Sequence, residues 1–139
     1  MAMEWRRPGH LLVERHYEDY LSTRWRGLGP RALRRLALPL IRRQYNRAVA
    51  ELLAVEALDF LLVFKGMLLA PATLQQFREK GLPCYLVYPD VSFTSHGRNI
   101  WDCLPLYNCV FTTKSYHLED PALRRRARQL RLVSHGYDP

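Results

Sequence analysis

Long apolar runs are missing from this 139-residue chain. No segment approaches the roughly 18–20 uninterrupted apolar residues that a membrane span requires; the run Met67–Pro71 is far too short. The N-terminus lacks the apolar block of a secretory signal, so the chain reads as cytoplasmic. Cysteine is scarce as well: Cys84, Cys103 and Cys109 have no metal-ligand spacing, and their odd number reads as buried reduced thiols rather than a disulfide framework. No metal triad and no Ser-His-Asp arrangement is found, and His117 and Glu119 have no partner pattern suggesting a metal site. Glycine-rich phosphate loops are absent: nothing matches G-x-G-x-x-G or a P-loop. A dinucleotide-binding fold opened by strand, glycine turn and helix is therefore not expected at this N-terminus.

What the chain does have is apolar content and positive charge. Apolar residues make up 48%, which suits a globular domain with a real core rather than disorder. The net charge of +8 favours acidic partners such as nucleic acid, an anionic surface or a phosphorylated ligand. The arginines fall in two groups, Arg31 to Arg47 and Arg124 to Arg131, both on helix candidates, where a solvated helix face is the plain reading.

The apolar residues occur in short runs, each closed by polar residues at a recurring place. Leu58–Phe64 is followed by Lys65-Gly66, Pro83–Tyr88 by Pro89-Asp90, Tyr107–Phe111 by Thr112-Thr113-Lys114, and Leu130–Val133 by Ser134-His135-Gly136. Helical or turn-rich stretches separate them. This alternation predicts an α/β fold: a Rossmann-like open parallel sheet flanked by helices, in one domain over residues 1–139, with 1–8 loose. Its first recognisable full strand resembles the second strand of such a fold, as if the first strand–helix unit were lacking. Leu11–Glu14, after Gly9-His10, is a short strand candidate.

Residues 31–57 give the clearest helix, with Leu33, Leu36, Leu40, Tyr45, Val49 and Leu52 at helical spacing. Pro39 predicts a kink or a new helix start. The continuous apolar run 58–64 predicts a strand buried on both faces. Pro71 opens a short helix that Gly81 ends, and a further short helix is expected over Ile100–Leu104. Glu119-Asp120-Pro121 opens the last helix, with Leu123, Ala127 and Leu130 as its apolar side.

In open parallel sheets, ligands sit beyond the carboxyl ends of the strands. Lys65, Asp90, Lys114 and His135 should then share one rim. Lys65 before Gly66 suits neutralising phosphate, with the glycine allowing close backbone approach; it equally suits a lysine snorkelling beside a turn. Asp90 suits a general base toward a hydroxyl, or an Asx-turn residue after Pro89. His96 is a second base candidate in an otherwise turn-rich loop. Thr112, Thr113 and Lys114 suit ligand hydrogen bonds or local strand-end capping. His135 and Gly136 fit a cleft contact or a hinge. Trp101 and Asp102 read as support for the short helix, and Tyr107 and Phe111 as packing residues.

Four segments together carry a family likeness. Val63-Phe64-Lys65-Gly66 with Ala70-Pro71-Ala72-Thr73-Leu74, Phe111-Thr112-Thr113-Lys114, Val133–Pro139 with its His135-Gly136-Tyr137-Asp138-Pro139, and Gly9-His10 before Leu11 stand in an order and spacing that resembles CgeB-like, spore-maturation-type glycosyltransferases of the GT-B architecture. The likeness spans roughly residues 9–139, and Asn108 stands where that family often has Asp. It implies the N-terminal, acceptor-side domain of an enzyme moving a sugar from a nucleotide-sugar donor to an acceptor. Asp90 and His96 would be the catalytic candidates; Lys65, Gly66, Thr113, Lys114, His135 and Gly136 would form the acceptor cleft. No metal or bound cofactor is implied for this half. The donor-binding domain would come from a separate C-terminal half, so the chain reads as a truncated piece with weak or no activity alone. A second reading is a basic module for nucleic acid or anionic surfaces, although no nucleic-acid motif is present. A third is a receiver-like domain built on Asp90, Thr113 and Lys114; it lacks the acidic pair that would hold magnesium.

Overall fold

The computed structural model describes residues 28–55, 57–95 and 97–134. Helix α1 (Leu28–Val55) leads into strand β1 (Leu61–Phe64), followed by α2 (Pro71–Glu79), β2 (Cys84–Tyr88), α3 (Arg98–Cys103), β3 (Cys109–Thr112), α4 (Pro121–Arg126) and β4 (Leu130–Leu132). Short 3-10 turns cover Leu104–Leu106 and Ser115–Glu119. The four strands form one sheet in the order β1-β2-β3-β4, and every pairing is parallel. This is the α/β, Rossmann-like sheet expected from the alternating runs. No described helix is long and apolar enough to cross a membrane.

Local chemistry sets the boundaries. Pro71 occupies the first turn of α2, where its missing N–H costs nothing. Gly81, at φ 77°, turns the chain out of that helix, and the Leu82 N–H closes the end on the Phe77 carbonyl at 3.0 Å. Asp120 caps α4: its carboxylate accepts from the N–H groups of Ala122 at 2.8 Å and Leu123 at 3.3 Å. Asn108 begins the β2–β3 pairing ahead of the strand proper. Its Oδ1 accepts from the Cys84 N–H at 2.9 Å, and its own N–H donates to the Cys84 carbonyl at 2.7 Å. An aspartate oxygen would accept the same bond.

Each strand is added on the same side of the previous one. Right-handed crossovers then put every connecting helix on one face of the sheet. The core reflects this. Val49 of α1, Leu74 and Phe77 of α2, Ile100 and Cys103 of α3, and Leu123 of α4 pack with Val63, Leu86, Tyr88 and Val110 of the strands.

Three expectations need correction. β1 is not buried on both faces: it is an edge strand, and Leu62 and Phe64 are exposed while Val63 is buried. The run is apolar without a break from Phe60 to Phe64, but no described element covers its second face. Pro39 does not start a new helix: α1 runs unbroken past it, and the proline leaves only the carbonyl four residues earlier without its usual N–H partner. The last helix stops at Arg126. Ala127 is already extended and Leu130 belongs to β4, so those two residues are not a helical stripe.

Candidate functional site at the carboxyl rim

The carboxyl ends of β1, β2 and β3 lie side by side, and the loops that follow them form a rim. At the end of β1 the chain turns sharply. The Lys65 N–H still reaches the Val87 carbonyl at 2.9 Å, extending the parallel ladder, while the Gly66 N–H donates back to the Phe64 carbonyl at 2.8 Å. This closes a three-residue turn centred on Lys65. Lys65 has φ 63°, the one positive value among the described non-glycine residues, and Gly66 follows at φ 69°. A three-residue turn with positive φ at its centre is the rare, strained form. Gly66 has no room for more: an added Cβ would lie 3.1 Å from Val63 Cγ1 and 3.3 Å from the Tyr107 hydroxyl.

The turn aims Lys65 across the rim. Its ammonium lies 3.3 Å from a carboxylate oxygen of Asp90, on the loop after β2, and both side chains are about one-quarter to one-third exposed. Lys65 and Asp90, read from sequence as neighbours on one rim, are thus in direct contact. Thr113 joins them from β3: its hydroxyl donates to the Pro89 carbonyl at 3.1 Å, one residue before Asp90. Lys114 opens the 3-10 turn that follows, and its N–H donates to the Thr112 hydroxyl at 3.1 Å. His96, His135 and Gly136, together with the Gly9-His10 and Leu11–Glu14 segment, lie outside the described residues.

Side chains hold the rim loops in place. His117 is buried. Its Nε2 lies 2.9 Å from the Val91 carbonyl and its Nδ1 2.6 Å from the Thr112 hydroxyl. A carbonyl only accepts, so Nε2 carries a proton, and in the neutral ring Nδ1 accepts the Thr112 O–H. Tyr116 donates to the same Val91 carbonyl at 3.0 Å, Tyr88 donates to Ser92 O at 2.7 Å, and Phe93 stacks on Tyr88 at 4.2 Å. The loop bearing Asp90 is therefore pinned to the ends of both β2 and β3.

The loop after Lys65 is held by two asparagines. Asn99 of α3 donates to the carbonyls of Leu69 at 2.6 Å and Met67 at 3.2 Å, and accepts from the Arg42 guanidinium. Asn46 of α1 donates to Leu68 O at 2.7 Å and accepts from the Ala70 N–H and the Thr73 hydroxyl, each at 2.7 Å. Irregular backbone under a helix needs such partners, because unpaired buried polar groups are costly. Neither asparagine was singled out from sequence. Asn46 had a signal: it is a polar residue beside the apolar stripe of α1, next to Tyr45.

The arginine groups are partly spoken for. Arg42 is held by Asn99, Arg47 pairs with Glu51 at 3.0 Å on the surface, and Arg126 donates to Trp101 O at 2.9 Å, reaches Asp102 at 3.4 Å and lies over the Trp101 ring. Trp101 and Asp102 thus tie α3 to α4. Arg124, Arg125, Arg128 and Arg131 are exposed. The cysteines are buried and free, and burial pushes their thiols up, Cys84 to about 11 and Cys103 to about 12. They are poor nucleophiles at neutral pH.

Beside the rim, Leu38, Pro39, Arg42, Arg43, Asn46 and Ala70 line an open groove of about 390 Å³ between α1 and the start of α2. It shares no lining residue with the Lys65–Asp90 pair. No protein-family model, curated protein or solved structure matches this chain.

Proposed function

We propose that this chain is the acceptor-side domain of a glycosyltransferase, with the crevice above the carboxyl ends of β1, β2 and β3 receiving the hydroxyl that takes up the sugar. The observation that carries this reading is the Lys65–Asp90 pair, set on a strained turn at the rim where open parallel sheets bind ligands. Asp90 accepts the proton of the attacking hydroxyl as its oxygen bonds to the anomeric carbon of the donor sugar and the bond from that carbon to the nucleotide diphosphate breaks, the diphosphate leaving with the electron pair. Lys65 holds the Asp90 carboxylate in place until it takes that proton. Thr113 holds the Pro89–Asp90 backbone, and Lys114 adds a second cation at the same edge. Nucleotide-sugar contacts fall to a second domain or a separate chain.

The test is an NMR titration of the full chain with hexoses, sugar phosphates and nucleotide sugars. The amides of Lys65, Gly66, Asp90 and Thr113 are expected to shift with a hexose or sugar phosphate, and Asp90→Asn is expected to abolish the shift. A silent rim across the whole panel overturns the reading. A competing reading, a phosphate-binding basic module, draws support from exposed Arg124, Arg125, Arg128 and Arg131 at the β4 edge. It requires retention on nucleic acid that falls steeply with salt.

A further inference from the structure

The core takes up only the second half of α1, through Tyr45, Val49 and Leu53. From Arg35 to Leu40 every residue but Ala37 is exposed. Three leucines stand in the open there: Leu36, Leu38 and Leu40 are 76%, 41% and 64% exposed. Single exposed leucines are ordinary, whereas a group of them marks a contact site. The same helix is basic. Between Leu28 and Ala50 the chain holds six arginines and no acid. Leu36, Leu40, Arg43 and Arg47 are spaced four, three and four residues apart, so they form one row along about 16 Å of helix, and all four are exposed. Among the described residues no carboxylate pairs with Arg35 or Arg43, while Arg47 pairs with Glu51. The groove between α1 and the start of α2 repeats the combination: Leu38, Pro39 and Ala70 give it an apolar wall, and Arg42 and Arg43 line the same opening.

We infer that this part of α1 lies on an anionic phospholipid surface, with Leu36 and Leu40 at the boundary between headgroups and acyl chains and Arg35 and Arg43 among the phosphates. Charge complementarity selects a negative partner, because six arginines without an acid repel a positive one and gain nothing from a neutral one. The leucines then decide which negative partner it is. Nucleic acid answers the arginines but offers no apolar layer to the leucines that stand in the same row. A lipid surface offers both to a single helix: phosphates at the interface, and hydrocarbon just below it. Arginine suits that boundary, since its stem lies along apolar surface while the guanidinium stays at headgroup level. The groove gives a second point of attachment, where a headgroup phosphate meets Arg42 and Arg43 beside an apolar wall. No described helix is long and apolar enough to cross a membrane, so the attachment is peripheral. It is independent of the sugar-transfer reading and uses none of the rim residues.

Flotation of the full chain with vesicles of phosphatidylcholine, or of phosphatidylcholine mixed with phosphatidylglycerol, tests this. The chain is expected to float with the mixed vesicles and to stay behind with the neutral ones. Leu36→Gln and Leu40→Gln leave the charge unchanged, and each should weaken binding at least about fivefold. Arg43→Gln should weaken it about fivefold, the effect of one cation at an anionic surface. Arg124→Gln, on α4, is the control and should change it by less than about twofold, because charge beyond the contact is screened. All four sites are exposed, so the variants should keep the wild-type circular dichroism and thermal transition. Absence of binding to the mixed vesicles overturns the inference. So does binding that ignores both leucine variants, or that falls as far with Arg124→Gln as with Arg43→Gln; the net charge of +8 would then account for it. Retention on duplex DNA that Leu40→Gln weakens, with vesicles ignored, assigns the row to nucleic acid and overturns it as well.

Discussion

Leu62 and Val63 are neighbours in β1 and have opposite surroundings. Val63 is buried in the core cluster that also holds Leu69, Leu74 and Leu86, on the face that takes every crossover helix; Leu62 points to the other face and is 57% exposed. The same division runs through the sheet: Cys84, Leu86 and Tyr88 are fully buried on one side of β2, while Tyr85 and Val87 are only partly buried on the other. Hydropathy made these residues look alike. Topology separates them, because strands added in one direction deliver their helices to one side. An apolar strand therefore records that both faces are meant to be covered, without recording what does the covering.

The sharpest way to break this contrast is to truncate one leucine on each face. Leu86→Ala removes a side chain with no exposed surface and is expected to cost about 2–5 kcal/mol. Leu62→Ala is expected to cost less than about 1 kcal/mol. Urea unfolding of both variants measures the difference. Equal losses would mean that the second face is as well packed as the first.

Alkaline pH probes the buried side in another way. Cys84 and Cys103 have thiols raised to about 11 and 12 by burial, against an ordinary value of 9.0. Well below pH 9, at neutral pH, the thiols are protonated in both the folded and unfolded chain, and stability is insensitive to them. Between pH 9 and about 12 the unfolded thiols ionise first, so stability falls as pH rises towards the folded values. The urea midpoint should drop steadily over that window. Replacing Cys84 by Ala should flatten part of the slope, whatever it does to stability at pH 7; an unchanged slope contradicts the assignment.

The rim loops differ from the strands in how far they could be read. The alternation of runs located β2 and β3 to within two residues, and Lys65, Asp90, Thr113 and Lys114 could be placed at one edge because strand ends in a parallel sheet share a direction. The supports of those loops could not be read. Asn99 lies thirty residues from Leu69 and Arg42 lies fifty-seven from Asn99, and such long-range hydrogen bonds leave no local periodicity. His117 likewise looked solitary because its partners, Thr112 and Val91, are a hydroxyl and a backbone carbonyl rather than metal ligands. Asn99→Ala tests this hidden scaffold. It strands the Leu69 and Met67 carbonyls and the Arg42 guanidinium, and it should cost about 1–3 kcal/mol. Amide exchange should quicken in residues 66–70 and stay unchanged in β3. Uniform quickening would mean that the asparagine supports the whole fold rather than the loop.

The smallest effect on stability is expected at Lys65, and there its direction carries the information. A lysine at φ 63° in a three-residue turn holds strain that glycine would not. Lys65→Gly relieves it, while the greater freedom of glycine in the unfolded chain offsets part of the gain. The net change should be stabilising and below about 1 kcal/mol. Gly66→Ala next door should destabilise instead, since the added Cβ meets Val63 and Tyr107 at a positive φ. The Lys65 side chain, carried on this strained backbone, reaches Asp90. If Lys65→Gly leaves the rim amides as responsive to a sugar phosphate as before, the ammonium has no part in binding. If the variant is more stable and the response disappears, the strain at Lys65 is the cost of holding a cation over the crevice.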